Sequence, residues 1–356
     1  MHSFPDNNQR FQNSFNMKNT IYFFICSVIL FLLLLLACSQ KKEVNVERIA
    51  NVKYVSVTDS IYASLPSRFF YQDKRIYWED ATSSEKFMHM IDATTGKEFC
   101  RFANKGGGPG EFDNPIPSLL PQGGVCIKNL ENHLAVLYKP SADTIKETIT
   151  AFFGGGMWSN AVAIDDTTIT YLYPGKGMPF QFQRKSHTIH FGHAPIEKTC
   201  TNGYDRFQGP MKYNCERKIL VYCTFDFPYM AIYNMSNEKF KLIKEMNEHF
   251  EYSVNNGNIH LNDNTPIGTF DMDMTKDYII SLRFDKAHED IITLKSYLRN
   301  PLKRPQSVFV YDYNLQLVKI YHFPFGLLRI AGDLKSNDVY LIAMKPDYEI
   351  IKFKIQ

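Results

Sequence analysis

The chain has 356 residues, 44% hydrophobic and 14% aromatic, which is enough to bury a large core in one big domain or two ordinary ones. Its formal charge is only +3 and no basic block runs along it, which argues against a nucleic-acid partner. The 28 Phe and 21 Tyr favour strands over helices.

Met1 to Asn16 are polar and stand ahead of Met17-Lys18, which opens a short basic region. We read residues 1–16 as an extension from a start codon placed too early, with Met17 as the true start. Ile21 to Ala37 is uncharged, almost wholly apolar, and ends Leu35-Leu36-Ala37-Cys38. A charged start, an apolar stretch and a small residue before the cut describe a secretory signal peptide over 17–37. The competing reading is a single membrane-spanning anchor, near the lower limit of ~17–25 residues. Residues 38–48 form a short polar tether, and 49–356 form the body.

Ile49 to Val57 alternates and predicts a first strand. Phe70 to Trp78 predicts a hairpin turning at Asp73-Lys74. Phe87 to Asp92 and Glu98 to Phe102 predict another, turning between Asp92 and Gly96. There Asp bonds its own backbone and Gly accepts a positive φ. Lys105-Gly106-Gly107-Gly108-Pro109-Gly110-Glu111-Phe112 follows. So many glycines beside a proline cannot sit inside a helix or a central strand. The run predicts a tight connection between two β units, with Glu111 bonding exposed amides and Phe112 packed under the next unit. As a phosphate cradle it lacks the lysine and hydroxyl of GxxxxGK[ST], and it is not GxGxxG before a helix.

Strand–turn–strand segments then recur to the end of the chain. Four short strands per unit, at roughly 45–55 residues, is the period of a propeller blade. Units begin near Phe69, Ile116, Ala161, Met211, Thr269 and Leu327, which predicts six blades. The early strand near Val52 completes the last blade and closes the ring, removing exposed sheet edges. Two stacked β-sandwiches are the competing arrangement. Lys286 to Leu298 predicts a short helix inserted in the fifth blade.

The Leu-Leu-Ala-Cys ending resembles the bacterial lipobox, which implies cleavage before Cys38, diacylation of its thiol and stable membrane attachment. Together with the glycine connection and the blade spacing, residues 44–356 resemble the six-bladed, TolB-like β-propeller lipoproteins of Bacteroidetes. The connection itself resembles the inter-blade linker of NHL-type propellers, which commonly carries a basic residue where Lys105 stands. The resemblance implies an all-β, six-bladed propeller with four-stranded antiparallel blades, lipid-anchored in the outer membrane, and no established reaction. Surface-exported lipoproteins of this kind tend to carry acidic residues after the cysteine. Lys41 and Lys42 point instead to the periplasmic face.

Few residues suggest chemistry. Cys215 and Cys223 pair if they lie on neighbouring strands; otherwise they are buried thiols, like Cys100, Cys126 and Cys200. His187, His190 and His193 are spaced by three, which on a strand throws His190 to the opposite face. Asp271 and Asp273 share a strand face and are expected at the central channel. Calcium, which takes several oxygens, is the ion they would suit. Trp158, in a glycine-rich loop, is a candidate ligand contact, and Trp78 is a candidate for the core. No GxSxG elbow, HExxH helix or paired-carboxylate signature is present.

Two functions therefore stand side by side. One is a membrane-tethered binding scaffold for a protein, peptide or glycan of the envelope. The other is a lactonase-like propeller hydrolase or lyase with a metal in the channel. Three or more Asp, Glu or His side chains converging in the channel would mark the second.

Overall fold

A computed structural model describes residues 46–63, 65–129, 135–141, 144–150, 160–173, 178–196, 205–236, 240–262, 264–284 and 304–356. Cys38, Trp158, Cys200 and the helix expected over 286–298 lie outside these residues.

The described chain opens with β1 (Glu47–Ile49) and β2 (Val55–Ile61). Blade one is β3 (Pro66–Gln72), β4 (Arg75–Asp80), β5 (Lys86–Asp92) and β6 (Glu98–Asn104). Blade two is β7 (Pro115–Leu119), β8 (Val125–Asn129), β9 (Ala135–Pro140) and β10 (Ile145–Thr150). Blade three is β11 (Ala161–Asp165), β12 (Thr168–Leu172), β13 (Phe180–Arg184) and β14 (His187–Phe191). Blade four is β15 (Met211–Asn214), β16 (Ile219–Cys223), β17 (Tyr229–Asn234) and β18 (Lys241–Asn247). A separate hairpin, β19 (Tyr252–Asn255) and β20 (Asn258–Leu261), precedes blade five. Blade five is β21 (Thr269–Met274), β22 (Tyr278–Arg283), β23 (Ser307–Asp312) and β24 (Leu317–His322). Blade six takes β25 (Gly326–Gly332), β26 (Asp338–Lys345) and β27 (Asp347–Lys354) from the end of the chain.

The fourth strand of blade six is β2, paired antiparallel with β27. The two ends of the propeller thus share one sheet, and the protein is an all-β, six-bladed propeller. Where one strand was expected over 49–57, the structure has two. β1 lies parallel to β24 as a fifth strand on blade five, with Glu47 Oε2 2.9 Å from Lys319 Nζ. Between the two strands, Tyr54 packs edge-on against Phe325, with ring centroids 5.7 Å apart. That crossing takes the chain from the rim of one blade to the rim of the next.

Six hydrophobic clusters hold the ring, one at each junction between neighbouring blades. Strand alternation builds them. On β16, Leu220 and Tyr222 face blade three while Ile219, Val221 and Cys223 face blade five. Both faces are covered, so the central strands read as unbroken apolar runs. The last junction, in which Ile61, Phe69, Trp78, Leu328 and Ile342 meet, joins blade six to blade one.

The predicted turns form for the reasons given. Asp73 and Lys74 have φ of 47° and 63°, the mirror-image turn whose twist suits a tight hairpin. Asp92 Oδ1 accepts from the amides of Thr94 and Thr95, both at 2.8 Å, and Gly96 has φ 70°. In the glycine connection, Glu111 Oε2 accepts from the Gly108 amide at 2.8 Å. Phe112 is fully buried, 5.9 Å from the Phe87 ring. Positive φ falls on Gly106 (148°) and Gly110 (79°). At Gly108 the constraint is room: a Cβ there would stand 2.9 Å from Glu111 Oε2.

Candidate functional site

The innermost strands of the blades surround a cavity of about 490 Å³. β3, β25, β21, β15, β11 and β7 touch in that order. Arg329 Nε donates to the Ser67 carbonyl and Lys335 Nζ to Asp73 Oδ1, both over 262 positions. The constant offset shows that β3 and β25 run parallel, so the cavity has a starting end and a finishing end. At the starting end stand Arg68, Arg329, Phe270, Phe225, Asn160 and Gln208. At the finishing end stand Asp73, Glu216, Asp333, Lys335 and Cys215.

Asp271 and Asp273 sit on β21 and line this cavity, while Met272 and Met274 pack against blade four. Their oxygens are engaged. Asp271 Oδ1 accepts from the Met272 amide at 2.9 Å and Oδ2 from the Ile330 amide at 3.1 Å, tying blade five to blade six. Asp273 Oδ1 accepts from the Met274 amide at 2.8 Å, and Oδ2 lies 3.4 Å from Lys212 Nζ of blade four. Burial pushes the Asp273 carboxyl above its ordinary range, and the Lys212 ammonium opposes that shift. Lys212 Nζ also lies 4.8 Å from the Phe70 ring centroid. A calcium ion held by this aspartate pair would have to displace the lysine.

Arg329 is the central cation of the starting end. Besides the Ser67 carbonyl, it donates from Nη1 to the Leu328 carbonyl at 2.9 Å. Its guanidinium lies 5.5 Å from the Phe270 ring centroid, and that of Arg304 lies 5.6 Å from the same ring. Burial holds the Arg329 pKa below its ordinary value; Asp271 opposes this, and Arg68 and Arg304 add to it. Such a site can hold an anionic or polar group against an aromatic wall.

The other sequence candidates lie elsewhere. His187 and His190 are on β14, the outermost strand of blade three, and His190 meets the Tyr173 ring at 4.7 Å. His193 Nε2 lies 2.8 Å from Glu245 Oε2. Trp78 is buried, stacked on His89 at 3.8 Å. Cys100, Cys126, Cys215 and Cys223 are free thiols, so the pairing considered for Cys215 with Cys223 does not form. Burial pushes the thiols of Cys126 and Cys223 up to about 12, which keeps them inert. Among the described residues, no group of three His, Cys, Asp or Glu could hold a metal ion.

Arg68, Lys212, Phe270 and Arg329 were not singled out from the sequence. They come from separate units and share no local spacing. Each lies on the first strand of its unit, so following the channel-facing positions of those six strands would have found them.

No family model matches the chain, and no curated protein matches it. Among solved structures, it is similar to a protein of Bacteroides fragilis NCTC 9343 inferred to be exported, at 11% identity and TM-score 0.54, covering 87% of this chain and 99% of that one. It is also similar to a member of the DUF4221 family from Bacteroides vulgatus ATCC 8482, at 12% identity and TM-score 0.53, covering 86% and 98%. At these identities the likeness is one of fold.

Proposed function

We propose that this chain is a lipid-anchored envelope protein whose propeller binds a protein, peptide or glycan at the starting end of its channel. The observation that carries the reading is the preformed cavity of about 490 Å³, framed by the inner strands and lined by charged, amide and aromatic side chains. That volume and mixture suit ligand recognition. The apolar leader ending at Cys38 and the exported neighbour support the envelope address, with Cys38 as the lipid carrier. The linker from Lys105 to Phe112, buried at its phenylalanine and turned at its glycines, supports kinship with TolB-like and NHL-type propellers. Five carboxylates line the cavity, Asp73, Glu216, Asp271, Asp273 and Asp333, but among the described residues no three of them are grouped as a metal site would need, and the oxygens of Asp271 and Asp273 are occupied by amides and an ammonium, so the binding reading is favoured over hydrolysis.

Hydrogen exchange tests the reading. The protein is incubated with envelope polysaccharide and peptide fractions, and amide protection is mapped. The account expects new protection in segments 67–72, 208–213, 269–273 and 326–332. Protection confined to the outer strands β6, β10, β14 and β18, or none from any fraction, overturns it.

A further inference from the structure

We propose, on the membrane attachment read above, that the propeller meets its lipid surface by the finishing face, so that the starting end of the channel opens away from the membrane.

The point at which the chain enters the propeller sets this orientation. β1 runs parallel to β24 with Glu47 opposite Lys319, so the residues before Glu47 lead back toward the beginning of β24. That strand follows the turn from Asp312 to Gln316, in which the Leu315 amide donates to the Asp312 carbonyl at 3.0 Å. The turn lies at the finishing end. Tyr313 Oη donates to the Thr275 carbonyl at 2.8 Å, and the Lys276 amide donates to the Ser336 carbonyl at 2.9 Å. Thr275 directly follows the inner strand β21, and Ser336 lies in the turn after the inner strand β25. Asp333 and Lys335, at the finishing end of the channel, belong to that same turn. Val46 packs with Tyr313, Leu317 and Leu334 against one hydrophobic cluster. The segment that carries the apolar leader therefore joins the propeller on the finishing side of blade five.

The tether is short. Cys38 and Val46 are eight residues apart, which spans at most about 29 Å fully extended. A tether turned back along blade five to the starting end would use ~20 Å of that, the length of a six-residue strand such as β24. The same limit holds whether a lipid sits on Cys38 or the apolar leader stays uncut, since both fix the chain to the membrane at that point.

The two faces differ in what they present. At the finishing end, Asp73-Lys74, Thr94-Thr95-Gly96, Lys276-Asp277 and Lys335-Ser336-Asn337 make polar turns. Among the described residues, none of the large exposed hydrophobic side chains lies in these turns. Such turns rest beside hydrated headgroups, and burying them in hydrocarbon would cost too much, so the contact is apposition without insertion. Loops between the second and third strands of a blade return to the starting end. Met178, between β12 and β13, and Phe225, between β16 and β17, are exposed there, as is Tyr62 between β2 and β3. These apolar side chains are left on the side from which a ligand approaches.

The test is energy transfer on vesicles. The full chain, produced with its leader and purified from bacterial membranes, is reconstituted into vesicles of phosphatidylethanolamine and phosphatidylglycerol. The vesicles hold a lipid with nitrobenzoxadiazole on its headgroup as acceptor. A coumarin amino acid is placed, one position at a time, at four exposed sites. Lys276 (finishing) and Pro324 (starting) report on blade five and its junction with blade six. Lys97 (finishing) and Ser84 (starting) report on blade one, which guards against a tilted ring. Within each pair the finishing position should transfer at least about twofold more energy, because the two ends are one strand length, ~20 Å, apart. Flotation of the vesicles reads attachment separately. Equal transfer within the pairs, stronger transfer from Pro324 and Ser84, or opposite orders in the two pairs overturns the orientation and leaves the attachment standing. A chain that does not float with the vesicles overturns the attachment and the orientation together, while binding in the channel is still judged by the exchange experiment.

Discussion

Phe112→Ala removes the side chain that seats the glycine connection between blades one and two. Phe112 is fully buried among Phe87, Phe102, Val125, Val136 and Tyr138. Its ring lies 5.9 Å from Phe87 and 6.5 Å from Tyr138. Truncating a buried phenylalanine costs about 3–5 kcal/mol in lost transfer energy and residual cavity. Unfolding entropy of ~2.1 cal/mol/K per residue over roughly 300 residues gives about 0.6 kcal/mol/K. The melting temperature should therefore fall by about 5–8 °C, provided that the ring unfolds as one unit. Thermal melts followed by near-ultraviolet circular dichroism read this directly. Pro109→Ala, in the same connection, should move the melt by less than about 1 °C, as surface changes usually do. If the two variants melt together, the buried anchor does not hold the connection.

Other substitutions probe separate parts of the account. Gly110→Val meets open space but must adopt φ 79°, so it should cost roughly 1–2 kcal/mol from strain alone, seen as a lower melting temperature. Lys212→Met leaves Asp273 without its cation and should cost about 3 kcal/mol at neutral pH, the low end for breaking a buried pair. With the carboxyl pKa already raised by burial, the fold binds that proton more tightly than the unfolded chain does. The loss should therefore shrink between pH 8 and pH 5 in melts of the variant. His89 is held below its ordinary 6.5, chiefly by burial, so its stabilising contribution is present above that value and is lost as pH falls through it. The melting temperature of the native chain should drop more from pH 7.5 to pH 5.5 than that of His89→Gln; equal slopes would rule out His89 as the source.

Much of the fold was legible because it is written in local alternation. The six units start where expected, and the turns at Asp73-Lys74 and Asp92–Gly96 follow from residues that tolerate their own backbone geometry. β1 was not legible as a separate strand. Three residues carry no period, and their place beside β24 is decided by partners some 270 positions away, such as Lys319 and Tyr321. The hairpin from β19 to β20 was missed because its apolar residues are sparse and only Ile259 among them is buried. The site was less legible still. Asp271 and Asp273 stood out through their spacing, yet they serve as pins between blades. Arg68 and Arg329 are solitary in sequence and meet only because β3 and β25 lie side by side once the ring closes.

The candidate site and the proposed binding role both require a ring closed by the chain's own N-terminal strand. The most direct test compares a chain starting at residue 46 with one starting at residue 63, which lacks β1 and β2. Without them the edge of β27 is bare and Ile61 leaves the junction between blades six and one. The longer chain should melt in one cooperative transition, and the shorter should melt at least about 10 °C lower or fail to fold, since it loses a whole strand from the closing sheet. Identical melts of the two chains would contradict the closed ring.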